Sequence, residues 1–583
     1  MPFRNVETHF SKAPSVKIKR SAFKYNSSNK FTMNAGDLVP FLFEEVLPGD
    51  TFDLKLSKVV RLTSSLHPTM DNLYLDTYFF FVPNRFLWDN WQKFMGENDQ
   101  AWTDSTVYVA PSFLIGGTYG NESGSIRHGK VDPQSILNYI GLPCFENSTK
   151  KGFVVNSLRF NAYCKIWNDW FRSENLVDEC PFYKGDGLIP SSYLNAYQSF
   201  LYNSFGVSSY LDSGNSCLKV AKFADYFTRA LPQPQKGADV LIPAGGEVVL
   251  NNDAITSTSS FARWIGVDND GDPTQISYAA RIGNGISGHN IGVVAEDVQD
   301  GTFEKVYYDP NGTLGLQGLE ITVNNLRLAV QTQKLLERDA RSGTRYIELV
   351  RGHFGVESPD LRLQRSEYLG GKRTLINMSE VIQTSESSSS SPLGNLAGRS
   401  LTTGIENSFI KSFTEHGYIV GVCCVRPDRT YSQGVHRSFF RGVNGMAGVG
   451  SKLDYYYPVL ANIGEQPIYE REIFIPGSSE SITPDDVFGY QEAWSEYRIQ
   501  QGQLRGFMQP GITGSLASWT YADNYATAPI LSGSWLYQGK AEIDRTLAIP
   551  SSTAPQFVCD FLTFGKAVRP MPVYSIPGLV DHN

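Results

Sequence analysis

The sequence predicts a mainly β fold with long inter-strand loops, a few helices and one large insertion, and three observations predict it. The first is alternation. Phe52, Leu54, Leu56, Val60 and Leu62 share one parity, while Asp53, Lys55, Ser57 and Arg61 share the other. That pattern sets one face of a strand on a core and the other toward a polar surface. The second is composition. Aromatic residues reach 13%, with 30 Tyr and 35 Phe, and 53 Gly and 30 Pro punctuate the chain. Only 19% of its 583 residues are charged, below the roughly 25% usual for soluble domains. The third is the placing of strand-like segments near both ends. Leu73–Val82 is apolar on both faces in its second half, as for a strand covered on both sides, and Phe557–Phe564 repeats the strand signature. A fold that pairs early with late strands, with long excursions between them, is the economical prediction.

The same composition excludes other classes. Disordered chains lack aromatics and carry high net charge, whereas 51 Lys+Arg stand here against 59 Asp+Glu, for a net charge of −8. A long coiled coil needs far more Ala, Glu, Lys and Leu. The longest apolar runs, such as Tyr418–Val425, fall short of a membrane span, so no membrane insertion is expected. MPFRNVETHF has no apolar core of a secretory signal. The seven cysteines form no Cys-x-x-Cys pair, and Cys423 and Cys424 lie in an apolar run that reads as a buried strand. They are expected to be structural thiols in a reducing compartment.

Along the chain, residues 1–35 read as an extended basic arm. Arg4, Lys12, Lys17, Lys19, Arg20, Lys24 and Lys30 face a single acid, Glu7, and apolar periodicity is weak. Such arms lie along nucleic acid or remain solvated tails. The β pattern starts at residue 36 and runs to 231. Within it Tyr163, Ile166, Trp167, Trp170 and Phe171 make one helical stripe, expected to pack on a sheet. Residues 232–318 differ, with 13 Gly and 11 acids against four bases. They are expected to form a surface insertion with strands near Gly246–Leu250 and Glu304–Tyr308. Closing so long a loop costs only about 2.5 kcal/mol more than closing a short one. From 319 to 583 the core resumes. A helix is expected from Asn325, with Leu326, Ala329, Val330, Leu336 and Ala340 on one face, interrupted at Gly343 before Tyr346–Val350. Ser385–Pro392 reads as a loop.

Catalytic signatures are missing. Asp268, Asp270 and Asp272 have the spacing of a calcium loop, but Pro273 stands at the sixth position and Ala279 at the twelfth, which leaves them weak metal candidates. The glycines at 442, 445, 448 and 450 make neither a dinucleotide fingerprint nor a P-loop. There is no His-Glu-x-x-His and no Gly-x-Ser-x-Gly, and the eight histidines are scattered. No catalytic residue or cofactor is assigned, and a structural or binding role is expected. Trp88, Trp91, Trp167 and Trp170 are candidates for base stacking, with core packing the expected use. A carbohydrate-binding β-sandwich or a glycosidase shares the aromatic and glycine richness, and paired carboxylates need proximity in space rather than in sequence.

Several collinear stretches carry a family resemblance. They are LPGDTFDLKLSKVVRL, YFFFVPNRFLWDNWQKFM, DYFTRALPQPQKG, QKLLERDARSGTRYIELVRGHFGVESPDLRLQRSEYLGG, FTEHGYIVGV, LANIGEQPIYEREIF, VFGYQEAWSEYR and VRPMPVYSIPGLVDHN. Together they resemble the major capsid proteins of microviruses, small single-stranded DNA bacteriophages, and of the gokushovirus branch in particular. The resemblance runs from about residue 36 to the end and skips only the insertion. It implies a viral β-jelly roll of two packed antiparallel sheets and no enzyme activity. It also implies pentamers within an icosahedral T=1 shell around circular single-stranded DNA. The implied partners are a small basic DNA-packaging protein, an internal scaffolding protein during assembly and an unknown bacterial surface receptor. The implied location is the virion, assembled in the host bacterial cytoplasm. By position, 232–318 resembles the loop that gathers at three-fold axes into a protrusion, the expected host-attachment surface. In this setting Arg4, Lys12, Lys17, Lys19, Arg20, Lys24 and Lys30 are the expected genome contacts, with pinning of neighbouring subunits as the other use of the arm.

Overall fold

The computed structural model describes residues 19–97, 107–115, 131–144, 153–205, 217–241, 322–356, 364–384, 393–441 and 465–574, and five short strands between 264 and 308. It divides into two compact units, Met1–Lys236 with Glu337–Asn583, and Gly237–Leu336.

Eight strands build the two large sheets of the first unit: β1 (Ser21–Met33), β2 (Val39–Val46), β3 (Thr51–Leu62), β4 (Leu73–Pro83), β5 (Glu367–Leu375), β6 (Thr402–Ser412), β7 (Gly417–Pro427) and β8 (Phe557–Arg569). They form two four-stranded antiparallel sheets, in the orders β1-β8-β3-β6 and β5-β4-β7-β2. Consecutive strands mostly change sheet, which is the winding of a jelly roll. The expected pairing of early and late strands is present. All 13 residues of β1 pair with β8, from Ser21 opposite Arg569 to Met33 opposite Phe557.

Strand β3 shows why these residues make a strand. Phe52, Leu54, Leu56, Val60 and Leu62 are buried, and their neighbours of the other parity are partly or fully exposed. They meet Phe79, Phe81, Ile419, Cys423 and Phe561 in one cluster between the sheets. Phe561 packs edge-on against Phe31 and Phe41, with ring centroids 5.1 and 5.0 Å away.

The second sheet is covered twice. Every residue of β7 is buried, because its odd positions face the first sheet while Tyr418, Val420, Val422 and Cys424 join a second cluster on the far side. That cluster is built with helix α1 (Leu158–Trp170) and helix α2 (Ser191–Phe205). The stripe read from the sequence is therefore the contact face. Tyr163 donates to the Leu38 carbonyl at 2.7 Å, and Trp167 Nε1 donates to the Lys219 carbonyl at 2.8 Å. Trp170, at the end of the stripe, lies 40% exposed under the Arg365 guanidinium.

Helix α3 (Val323–Ser342) stops where expected. Gly343 has φ +101°, which an L side chain rarely adopts, and α4 (Tyr346–Phe354) follows. The apolar face anticipated for α3 is not buried, however. Leu326 and Val330 are exposed, and only Ala329 is enclosed. Of the second unit the backbone shows a five-stranded sheet that includes Phe303–Tyr308, the strand expected at Glu304–Tyr308. Gly246–Leu250, Ser385–Pro392 and the glycines at 442–450 lie outside the described residues.

Phe561 and Val558 lie on opposite parities of β8, 0% and 54% exposed. Phe561→Ala is expected to cost about 3–5 kcal/mol and Val558→Ala less than about 0.5 kcal/mol. Urea unfolding of the two variants checks the assignment of faces.

Candidate shell-forming and nucleic-acid surface

One core-facing position of β3 is a lysine. Lys58 continues the buried parity and its side chain is 1% exposed. Its ammonium meets Glu406 of β6 at 2.9 Å and Thr77 of β4 at 3.4 Å, and Thr77 in turn donates to the other Glu406 oxygen at 2.8 Å. Burial pushes the Lys58 ammonium below its ordinary pKa against the pull of Glu406. This triad ties the two sheets together across their common core. Beside it, Asp76 of β4 holds Arg373 of β5 at 2.7 Å and Arg426 of β7 more closely still.

The basic residues of the amino terminus are divided by the structure. Arg4, Lys12 and Lys17 lie outside the described residues, as do Asp268, Asp270 and Asp272. Lys19 and Arg20 are exposed just ahead of β1. Lys24 and Lys30 are on β1 itself, on its exposed parity, so residues 21–33 belong to the sheet rather than to an extended arm. The sequence hides this strand because its inward positions Ser27 and Asn29 are polar, which breaks the alternation between Phe23, Tyr25 and Phe31. Lys30 pairs with Asp560 at 3.6 Å with both side chains well exposed, a contact of little energetic weight.

Of the four tryptophans considered for base stacking, Trp88 and Trp167 are core residues, and Trp91 is half-buried against Trp88. Among the described residues no three His, Cys, Asp or Glu side chains come together as a metal site. No described helix is long and apolar enough to cross a membrane.

Family comparison decides between the readings. A family model described as capsid protein (F protein) matches residues 11–579. The chain belongs to that family. This capsid protein is 33% identical over 623 aligned residues to capsid protein VP1 of Chlamydia phage 1, with 98% of each chain covered. It is 34% identical to capsid protein VP1 of Bdellovibrio phage phiMH2K, with 98% of each covered. It is also 34% identical to that of Spiroplasma virus 4, with 99% of this chain and 98% of the other covered. The resemblance to microvirus capsids is borne out, and with it the role of major capsid protein, a structural rather than enzymatic part that self-assembles into a shell and resides in the virion.

Segments of this capsid protein that carried the resemblance meet in space. Tyr226, Glu472 and Glu496 come from three different stretches and share one buried network. Arg437 contacts Glu472 at 2.9 Å, Tyr226 donates to Glu472 at 3.0 Å, and Arg441 contacts Glu496 at 2.6 Å. They border a third apolar cluster that includes Phe227, Ile468, Phe488 and Trp535. A second network buries Asp523 between Lys222, at 3.0 Å, and Arg429. Burial opposes the charge of Asp523, yet the two cations hold its carboxyl to about 2. Nothing in the sequence pattern announced these partners, or Lys58, because they are far apart in the chain.

Glu470, at the start of the helical turn Glu470–Ile473, has no such partner. It is 3% exposed, its Oε1 accepts no hydrogen bond, and burial, with Glu480 and Asp486 nearby, raises its pKa to about 7.

Two outcomes follow from these groups. Lys58→Met leaves Glu406 buried and unpaired, with an expected loss of about 3–5 kcal/mol, and the double change Lys58→Met with Glu406→Leu is expected to restore most of it; urea unfolding reads both. For Glu470 the folded chain holds a proton between the ordinary carboxylate range and about 7. Its contribution to stability is therefore present at low pH and lost as pH rises through about 7. Glu470→Gln is expected to flatten the decline in unfolding midpoint between about pH 5 and about pH 8.

Proposed function

We propose that this capsid protein closes, through pentameric precursors, into an icosahedral T=1 shell around circular single-stranded DNA. Arg4, Lys12, Lys17, Lys19, Arg20, Lys24 and Lys30 contact the genome. The observation that carries this reading is the end-to-end match to phage capsid proteins by a chain folded as a jelly roll. The described basic residues support it, because Lys19, Arg20, Lys24 and Lys30 are all exposed to a ligand. Exposed apolar side chains support the shell. Leu328, Tyr346, Phe354, Phe439 and Ile530 are each at least 67% exposed in the single chain, as in a subunit whose buried surface is completed by its own copies.

In the same reading a scaffolding protein and a small basic packaging protein act during assembly in the bacterial cytoplasm. The segment 232–318 forms the three-fold protrusion that meets the host receptor. Its excess of acids over bases suits a surface turned away from phosphate.

Electron microscopy and native mass of the chain, expressed with and without its phage's other structural proteins, test the assembly. Closed shells or pentamers are expected, and a monomer under every condition overturns the reading. Genome contact is tested by salt titration of single-stranded DNA binding. Each phosphate neutralised contributes about −0.7 to the log–log slope, so changing Lys17, Lys19 and Arg20 to Gln is expected to flatten it by about 2. An unchanged slope removes the arm from the interface. Particles lacking 247–318 are expected to lose saturable binding to host envelopes, and unchanged attachment refutes the receptor role.

A further inference from the structure

The two sheets of the sandwich differ in one respect. The second sheet is covered on both faces along its central strands β4 and β7, by the first sheet and by the cluster around α1. The first has a core on one side only, and its outward parity is uncovered along β1, β8 and β3. That parity carries Lys24 and Lys30 on β1, Lys566 on β8, and Lys55 and Arg61 on β3, opposed by Asp53 and Asp560.

Register sets these groups beside one another. Lys24 lies directly opposite Lys566, and like charges directly opposed across two strands are destabilising. Among the described residues neither has an ion-pair partner, and the same holds for Lys55 and Arg61. In the next row Phe564 stands between Asn26 of β1 and Lys55 of β3. The ring of Phe564 is half-buried while Lys24 and Lys566 are exposed. Neighbours across strands are about 5 Å apart and alternate residues along a strand about 7 Å apart. An aromatic ring thus sits in the sheet surface among ammonium groups that outnumber the carboxylates of the face, although Lys566 also stands opposite Asp53 of β3.

We propose that this uncovered sheet face is a platform for single-stranded DNA, with Lys24, Lys566 and Lys55 on phosphates and Phe564 under an unstacked base. The proposal rests on the reading that the chain encloses single-stranded DNA, and it adds Lys55, Lys566 and Phe564, on a preformed sheet surface, to the amino-terminal cations, of which it shares Lys24. Unpaired cations favour a polyanion, and a ring set among them favours a strand whose bases are free to stack. A duplex keeps its bases inside and would leave Phe564 unused. The apolar Ile405 and Ile410 of β6, 66% and 73% exposed on the same sheet, extend a surface suited to bases beyond the lysine rows.

The test uses the full-length subunit and a mixed-sequence single-stranded DNA oligonucleotide. Three variants are compared: Lys24→Gln/Lys55→Gln/Lys566→Gln combined, Phe564→Leu, and Lys19→Gln/Arg20→Gln as the amino-terminal control. The triple variant is expected to flatten the salt slope by about 2. Phe564→Leu is expected to weaken binding about 5- to 150-fold with the slope unchanged, and ultraviolet crosslinking should attach the oligonucleotide to the peptide carrying Phe564. Unchanged urea midpoints show that the fold is intact, as expected for outward side chains. If only the amino-terminal control alters the slope, the sheet platform is wrong while the enclosure reading stands. If the triple variant binds DNA normally but forms no shells, the face is an interface between copies, and the proposal is again wrong. If the unaltered subunit binds no DNA at all, the enclosure reading itself falls.

Discussion

Everything in the main unit depends on the union of β1 with β8, which joins the two ends of the chain along 13 residue pairs. Strand β8 lies between β1 and β3, so without it the first sheet separates into pieces and the core beneath Phe52, Leu54 and Phe561 loses its cover. Closing so long a loop is not the obstacle it looks, since the entropic cost grows only with the logarithm of its length. The intervening excursions build other layers: α1 and α2 on the far face of the second sheet, and the networks around Glu472 and Asp523. The two ends hold the frame within which those excursions pack.

The frame has a polar tie as well as an apolar one. Lys58, Glu406 and Thr77 come from β3, β6 and β4, and they satisfy one another inside a cluster of phenylalanines and leucines. Apolar packing alone leaves a sandwich free to slide, because many apolar side chains of similar volume fit many positions. A buried ion pair does not, since a shift by one residue would strand two charges in the core. The register of β3 against β6 is thereby set at one point, and the outward row of β3, from Asp53 to Arg61, is set with it.

Which parts of this were legible beforehand follows from the range over which a sequence pattern acts. The alternation in β3, the unbroken apolar run of β7 and the stripe of α1 are local and periodic, and each came out where expected. Gly343 was equally legible, because its positive φ is a local demand. Strand β1 was not, since Ser27 and Asn29 put polar groups at inward positions of a sheet edge, where burial is only partial. The helix α3 was legible from the spacing of Leu326, Ala329 and Val330, but the exposure of its apolar face was not, because spacing does not say whether another element lies opposite. Lys58 was overlooked because its partner is 348 residues away, and no window of sequence reports such a distance. Surface chemistry was the least legible of all. Lys24, Lys566 and Lys55 become neighbours only when β8 is inserted between β1 and β3, whereas the amino-terminal cluster could be counted directly.

The position of β8 also sets a clock. Strand β3 leaves the ribosome roughly 500 residues before the strand that pairs with it, which at about 5–20 residues per second is about 25–100 s. During that interval β1 has no partner and β3 gains only β6, so the first sheet stays open between β1 and β3. Subunits therefore complete their first sheet only once β8 has been made. The pool of unfinished chains rises with the rate of translation initiation, and their open strand edges are the species most exposed to aggregation. The order of strands in one sheet thus ties particle yield to the tempo of the host's ribosomes.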